Sequence, residues 1–325
     1  MSTFNAAVRL GQARIKARPE HFCVHEVLDR AFSGEGEHAY FLVEKTSLNT
    51  TDVVAMLAAD FQVPPQTVGY AGRKDKHAVT RQWFSVPTPQ ENWLPQDARV
   101  KVLCRGRSEK KLRRGDHSAN RFELTLTQVR DCDAAMAQAL SGCFPNYFGP
   151  QRLSAENVRQ AQDWLRSGGW GRDARDQPRG ARRRAQKQNQ GRRGWHLSVL
   201  RSLLFNAVLE QRVAAGNYAS LIDGDIAIQA MPSGPLWGRG RSQVSGLAAQ
   251  IESRALSVYA DICEALEYAG VSMQRRALAV QPQQLQMVQT AADEWVLQFT
   301  LPPGVYATAL LANHFTLHDA SAYHE

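Results

Sequence analysis

Cysteine is sparse in this sequence and never clustered. The five residues Cys23, Cys104, Cys132, Cys143 and Cys263 are odd in number and widely spaced, with no Cys-x-x-Cys pair. That excludes a disulfide framework and leaves no zinc-finger pattern. Long apolar runs are missing too: no stretch approaches the roughly eighteen residues of a membrane span, and the first residues lack the apolar core of a signal peptide. A soluble, cytoplasmic, monomeric protein with no membrane partner is the expectation. There is no Walker-A pattern, no His-Glu-x-x-His, no Gly-x-Ser-x-Gly and no internal repeat. The glycines at 34 and 36 open a turn into a strand and form no nucleotide fingerprint. Acid is the scarcer charge, 31 residues against 39 Lys and Arg, for a net charge of +8. The excess points to a polyanionic partner, nucleic acid being the commonest, with a basic solubility surface as the alternative.

What is present suffices for a folded protein. The 325 residues are 43% hydrophobic and 22% charged, enough for two domains or one large one with a real core. The stretch the chain is organised around is Gly69-Tyr70-Ala71-Gly72-Arg73-Lys74-Asp75-Lys76-His77-Ala78-Val79-Thr80-Arg81-Gln82-Trp83. A single carboxylate, Asp75, sits among Arg73, Lys74, Lys76 and His77, which favour its ionised form. That suits a nucleophile or base better than a general acid; a solvated charged loop is the plain alternative. The glycines at 69 and 72 are expected to allow tight backbone turns, and Arg81 to Val86 reads as a strand.

Further candidates follow along the chain. Ala13 to Arg18 alternates as a strand, Pro19-Glu20 breaks it, and Phe22 to Val27 resumes an extended pattern. Asn49 to Asp52 offers a cap ahead of a helix that Pro64-Pro65 stops. Residues 105–117 form a second basic run, followed by a strand with Phe122, Leu124 and Leu126 on one face. Phe144-Pro145-Asn146-Tyr147-Phe148-Gly149-Pro150-Gln151-Arg152 places three aromatics beside an arginine. These could stack bases and contact phosphate, or equally form a packed loop with a structural arginine. Residues 172–193, with Arg182, Arg183 and Arg184 at their centre, read as a mobile cationic segment suited to an RNA backbone, or as a solvating loop. Trp195 to Leu209 and 250–269 read as helices, and 294–301 as a strand.

Ala71-Gly72-Arg73-Lys74-Asp75-Lys76-His77-Ala78-Val79-Thr80 with Gln82-Trp83 resembles the signature of the TruD family of tRNA pseudouridine synthases. Pro19-Glu20-x-Phe22-x-Val24-x-Glu26, Asn120-x-Phe122, Asn146-Tyr147-Phe148-Gly149-x-Gln151-Arg152, Arg201-Ser202-x-x-Phe205-Asn206 and Leu301-Pro302-x-Gly304-x-Tyr306-Ala307-Thr308 are similar to its other motifs, in the family's order. The resemblance implies an α+β fold. Its pseudouridine-synthase core is a mixed antiparallel sheet with flanking helices, at 1–152 and 273–325, interrupted by a mostly helical inserted domain at 153–272. It implies Asp75 as the catalytic residue, Phe22, Asn120, Phe122 and Tyr306 at the target nucleotide, and Lys16 as ion-pair partner of the acid. Arg73, Lys74, Lys76, Arg182, Arg183 and Arg184 are the candidates for the RNA backbone. tRNA is the implied partner, with uridine 13 of a glutamate tRNA the expected target. The isomerisation neither oxidises nor hydrolyses, so no metal and no cofactor is expected. A non-catalytic RNA-binding module is the rival reading, but a carboxylate inside its basic loop would only repel phosphate. A nuclease would want several clustered acids for metal ions.

Overall fold

The computed structural model describes residues 11–130, 135–168 and 179–323. The chain forms two compact units. One comprises the described residues of Cys143–Gln281 with Thr308–Asn313, and the other comprises the rest.

The sheet-bearing unit begins with β1 (Gly11–Ile15) and β2 (Phe22–Val27), separated by Lys16 and a single turn at Pro19–His21. β3 (His38–Thr46) leads into α1 (Thr50–Asp60), where Asp52 Oδ2 accepts the Asn49 backbone N–H at 2.7 Å and so satisfies one otherwise orphaned donor. β4 (Gly69–Tyr70), β5 (Val79–Pro87), β6 (Val100–Ser108), β7 (Ala119–Arg130) and the short α2 (Ala135–Leu140) follow.

The other unit carries β8 (Phe144–Pro145), α3 (Ala155–Arg166), α4 (Arg179–Ala214), β9 (Ala227–Ile228), β10 (Met231–Leu236), α5 (Gly246–Leu256), α6 (Ala260–Tyr268), β11 (Gln274–Ala277) and β12 (Ala279–Val280). The chain then returns through β13 (Gln283–Ala291), β14 (Glu294–Leu301), α7 (Ala307–His314) and β15 (Phe315–Asp319).

The large sheet runs β13-β14-β7-β2-β5-β3-β6, with β1 joining β7 and β15, and β4 joining β5. Most of its pairs are antiparallel; β2 with β5 and β1 with β15 are parallel. β7 shows why it holds the centre. Phe122, Leu124 and Leu126 are buried while Arg121 and Glu123 between them are exposed, the two-residue period of a strand with one face on a core. α1 covers the sheet through Val53, Val54 and Leu57, packed with Phe41, Val43, Phe84 and Trp93. This is the mixed α+β architecture expected from the motifs.

The units part at Cys143 and Gln281. The reason is that Phe144 and Pro145 pair with Val280 and Ala279, binding both flanks into the helical unit. Of the basic run at 105–117, Arg105 to Ser108 end strand β6, which pairs with β3. The cationic segment 172–193 is described only from Arg179. Residues 172–178 lie outside the described residues, and from Arg179 the run is helix continuous to Ala214. No proline interrupts that stretch, and its arginine, alanine, glutamine and lysine are good helix formers.

Candidate active site

The loop that carries Asp75 is held by its backbone. Lys45 on β3 donates from Nζ to the Asp75 carbonyl at 3.0 Å and to the Leu48 carbonyl at 2.6 Å. Thr50, at the start of α1, accepts the Lys74 N–H at 3.0 Å and donates to Gln82 Oε1 at 2.8 Å. Gln82 Nε2 in turn donates to the Gly72 carbonyl at 3.0 Å. Lys45, Thr50 and Gln82 are all buried, so these bonds are shielded from competing water. Burial pushes the Lys45 ammonium down to about 8, with Asp75 opposing the shift.

The glycines act differently from expectation. Neither Gly69 nor Gly72 has left-handed backbone. At Gly69 a Cβ would collide with the Leu112 carbonyl and the Ser85 hydroxyl, so the need there is for space.

The carboxylate itself faces Lys16. Lys16 Nζ lies 3.5 Å from Asp75 Oδ2 and 3.8 Å from Asp319 Oδ2. The lysine follows β1 with left-handed backbone (φ 56°), and Asp319 closes β15, whose pairing with β1 sets Ile15 opposite Asp319. The first and last strands of the sheet thus meet beside the loop. Lys16 Nζ also stands 4.6 Å from the centre of the Phe22 ring, a cation–π distance.

An aromatic row continues from there across β2, β7 and β14. Phe22 meets Phe122 edge-on at 6.4 Å, and Phe122 stacks on Phe299 at 5.3 Å. All three are buried. Phe22 and Phe122 are therefore packed side chains, and Phe22 has Lys16 above its ring. Asn120 sits opposite Leu301 and Glu26 in the sheet, and its buried Oδ1 accepts no hydrogen bond. A buried acceptor left so costs about 1–3 kcal/mol. Tyr306 is half-buried in the segment that leaves β14 five residues after Leu301.

The basic residues separate into two groups. Arg73 and Lys76 are exposed on the loop. Lys74 is not a surface cation: its Nζ pairs with Glu26 Oε2 at 2.5 Å, and the two side chains are 6% and 0% exposed. Glu26 Oε1 also accepts the Trp83 N–H at 3.1 Å. The Lys74 ammonium, expected at the RNA backbone, is thus placed in a buried pair with Glu26. His117, buried near Gly72, has its imidazole pushed down by burial and then by the Lys74 charge. Arg182, Arg183 and Arg184 lie on α4, with side chains outside the described residues. Among the described residues no group of three or more His, Cys, Asp or Glu could hold a metal ion, and no helix is long and apolar enough to cross a membrane.

Known proteins extend the resemblance over most of the chain. The family model for tRNA pseudouridine synthase D (TruD) matches residues 2–159. A tRNA pseudouridine synthase D of Cellvibrio japonicus (strain Ueda107) is 36% identical over 327 residues, covering 94% of this chain and 90% of the relative. This chain belongs to the TruD family. A second member, from Pseudomonas syringae pv. tomato, is also 36% identical, over 93% of this chain and 91% of its own. In three dimensions a chain from Methanosarcina mazei that carries the TruD designation superposes with a TM-score of 0.65 at 20% identity. It covers 96% of this chain and 94% of its own, a likeness of fold.

Several residues of this TruD-family site escape sequence reasoning. Glu26 and Lys45 stand inside recognised segments but show no role until Lys74 and the Asp75 carbonyl are found against them. Asp319 has no local signal, because only the pairing of the first strand with the last brings it to Lys16. Phe299 is visible only as an alternating strand residue, and its register with Phe122 carries the meaning.

Proposed function

We propose that this chain isomerises uridine to pseudouridine in tRNA, with Asp75 as its catalytic carboxylate and uridine 13 of a glutamate tRNA as the target. The observation that carries the reading is the Lys16–Asp75 pair, set in the loop that bears the family signature. The relatives named above are tRNA pseudouridine synthases D, and the reading transfers that activity to this chain.

The bond accounting needs only one such acid. The N1–C1′ bond of uridine breaks, a C5–C1′ bond forms, the C5 proton leaves and N1 ends protonated. An ionised Asp75 serves in either of two ways. It can attack C1′ and expel the uracil as an N1 anion, to be displaced in turn by C5. Alternatively it can take a ribose proton so that the base is eliminated and added back through C5. Lys16 holds the carboxylate, while the charge of Asp319 keeps the ammonium from being captured by Asp75 alone. The detached uracil must be retained as it turns, which makes re-attack effectively intramolecular. Half-buried Tyr306 is the proposed aromatic surface for this, with Phe22 and Phe122 packed into the strands that frame the site, and Asn120 Oδ1 is an acceptor fit for the uracil N3–H. The target must first leave its stack. Arg73 and Lys76, with Arg182, Arg183 and Arg184 on α4, are the proposed phosphate contacts. The helical unit is read as the inserted domain. No step calls for a metal or cofactor, and the chain is taken to act as a monomer.

The test is incubation of the purified protein with an unmodified glutamate tRNA transcript and no added cofactor, followed by chemical mapping of pseudouridine. Modification at position 13, lost when that uridine is replaced by cytidine, is expected. A transcript left unmodified at every uridine would refute the activity, and modification elsewhere would refute the target alone.

A further inference from the structure

Two arginine motifs have no part in the chemistry above: Arg152, closing the Asn146–Arg152 stretch, and Arg201-Ser202 on α4. The structure brings them to one place. A cavity of about 180 Å³ in the helical unit is lined by Phe148, Arg152, Gly194, Ser198, Arg201 and Ser202, among others, and no acidic residue lines it. Arg152 donates from Nη1 to Ser198 Oγ at 2.6 Å, and its guanidinium lies 5.3 Å from the Phe148 ring centre and 5.7 Å from that of Trp195. Arg201 directs Nη2 to the Leu236 and Ser272 carbonyls at 2.8 and 2.9 Å and to Gln274 Oε1 at 3.3 Å. The Nε of each arginine is buried without a hydrogen-bond acceptor. Neither guanidinium has an acidic partner among the described residues.

Two half-buried cations lining one cavity without a counter-ion are costly to desolvate. Burial pushes the Arg201 guanidinium below its usual range. A dense tetrahedral oxyanion would relieve both. The aromatic rings fix the plane of the Arg152 guanidinium, and its Nε and Nη2 edge is the fork that matches two oxygens of one phosphate. Ser198, which accepts from Arg152, keeps its hydroxyl proton to donate. Ser202 is buried at the cavity wall with its hydroxyl tied to the Ser198 carbonyl, which fixes that turn of α4.

We propose that this cavity is an oxyanion site that takes one phosphodiester group of the RNA substrate, with Arg152 and Arg201 as its ligands. It rests on the proposed function for the source of the phosphate, while the oxyanion chemistry stands on the cavity itself. Such a site would grip the tRNA through the helical unit without reading a base, because phosphate contacts position a nucleic acid and carry no sequence.

Gly194 gives a clean perturbation. It is exposed at the cavity, and a Cβ there meets nothing within 4 Å. Gly194→Glu adds a carboxylate at the mouth and improves helix propensity, with Gly194→Ala as the control. The intact protein is titrated with inorganic phosphate, followed by phosphorus NMR line width, and separately with a tRNA transcript over a salt series. Wild type and Gly194→Ala should broaden the phosphate line; Gly194→Glu and Arg152→Gln should not. For tRNA, the slope of log affinity against log salt should fall by about 0.7–0.9, one phosphate contact, in both of the latter variants. Affinity should weaken roughly tenfold. A wild-type slope in folded Gly194→Glu would overturn the proposal, and if phosphate binding were nonetheless lost, the cavity serves free phosphate and not RNA. A reduced slope in a protein that forms no pseudouridine would uphold the site and sink the activity reading instead.

Discussion

Replacing Asp75 by asparagine separates catalysis from folding and from binding. The side chain keeps its shape and loses its charge. Asp75 Oδ2 lies 3.5 Å from Lys16 Nζ, which at an effective dielectric of ~20 is an attraction of about 5 kcal/mol before solvent is considered. The Asp75 side chain is 24% exposed, so water screens much of that attraction. Lys16 also retains Asp319 at 3.8 Å, and the amide no longer has to be desolvated as an ion. The net change in stability is expected within about 1 kcal/mol, a shift in Tm of roughly 2–4 °C. Loss of the carboxylate from the reacting position should cost at least about a hundredfold to ten-thousandfold in turnover. tRNA affinity should hold or rise, since one charge that repels phosphate is gone. Single-turnover pseudouridine formation, filter binding and thermal melting are measured on one preparation. A variant that folds, binds tRNA and still forms pseudouridine would refute the catalytic assignment.

The other predictions probe what holds and fills the site. Lys45 titrates near 8 when folded and near 10.5 when unfolded, so between those values the unfolded chain binds more protons and stability should rise with pH. In Lys45→Met this contribution, up to about 3 kcal/mol, should disappear, and urea unfolding at pH 8, 9 and 10 should show the two stability curves converging or crossing; parallel curves would count against a buried ammonium. Glu26→Gln leaves the Lys74 charge buried and should cost about 3–5 kcal/mol, partly recovered by adding Lys74→Met; equal stability of single and double variants in chemical denaturation would sink the pairing. Tyr306→Leu keeps apolar bulk but loses an aromatic face, so kcat should fall by the equivalent of about 1–3 kcal/mol with a much smaller change in tRNA affinity. Equal losses in both would assign Tyr306 to general RNA binding.

The Asp75 loop was legible because its residues are contiguous, and the alternation of Phe122, Leu124 and Leu126 announced a central strand. The partners were illegible where a contact depends on sheet register. Lys74 reads as one more cation in a basic loop until β2 sets Glu26 against it. Asp319 reads as a terminal acid until β15 lies parallel to β1. Gly69 suggests a turn, and the reason for it is the approach of the Leu112 carbonyl. The ends of the compact helical unit were hard to read for a related cause. Helical periodicity begins near residue 155, yet the two-residue strands β8 and β12, too short to show a period, mark the flanks of the helical unit.

The arrangement divides the work of holding Asp75 between two kinds of contact. Hydrogen bonds of 3.0 Å with buried side chains fix the loop through the Gly72 and Asp75 carbonyls and the Lys74 amide. The carboxylate, by contrast, meets its lysine at 3.5 Å, and that lysine is shared with a second acid. A tight bidentate clamp on the oxygens would position them just as well, but it would stabilise the resting anion more than any state in which an oxygen bonds to carbon or to a proton. Fixing the loop by its backbone and sharing the lysine between two acids avoids that penalty. It also explains why a fully buried lysine sits behind the loop, aimed at a carbonyl, while a lysine that keeps 10% of its surface exposed faces the acid.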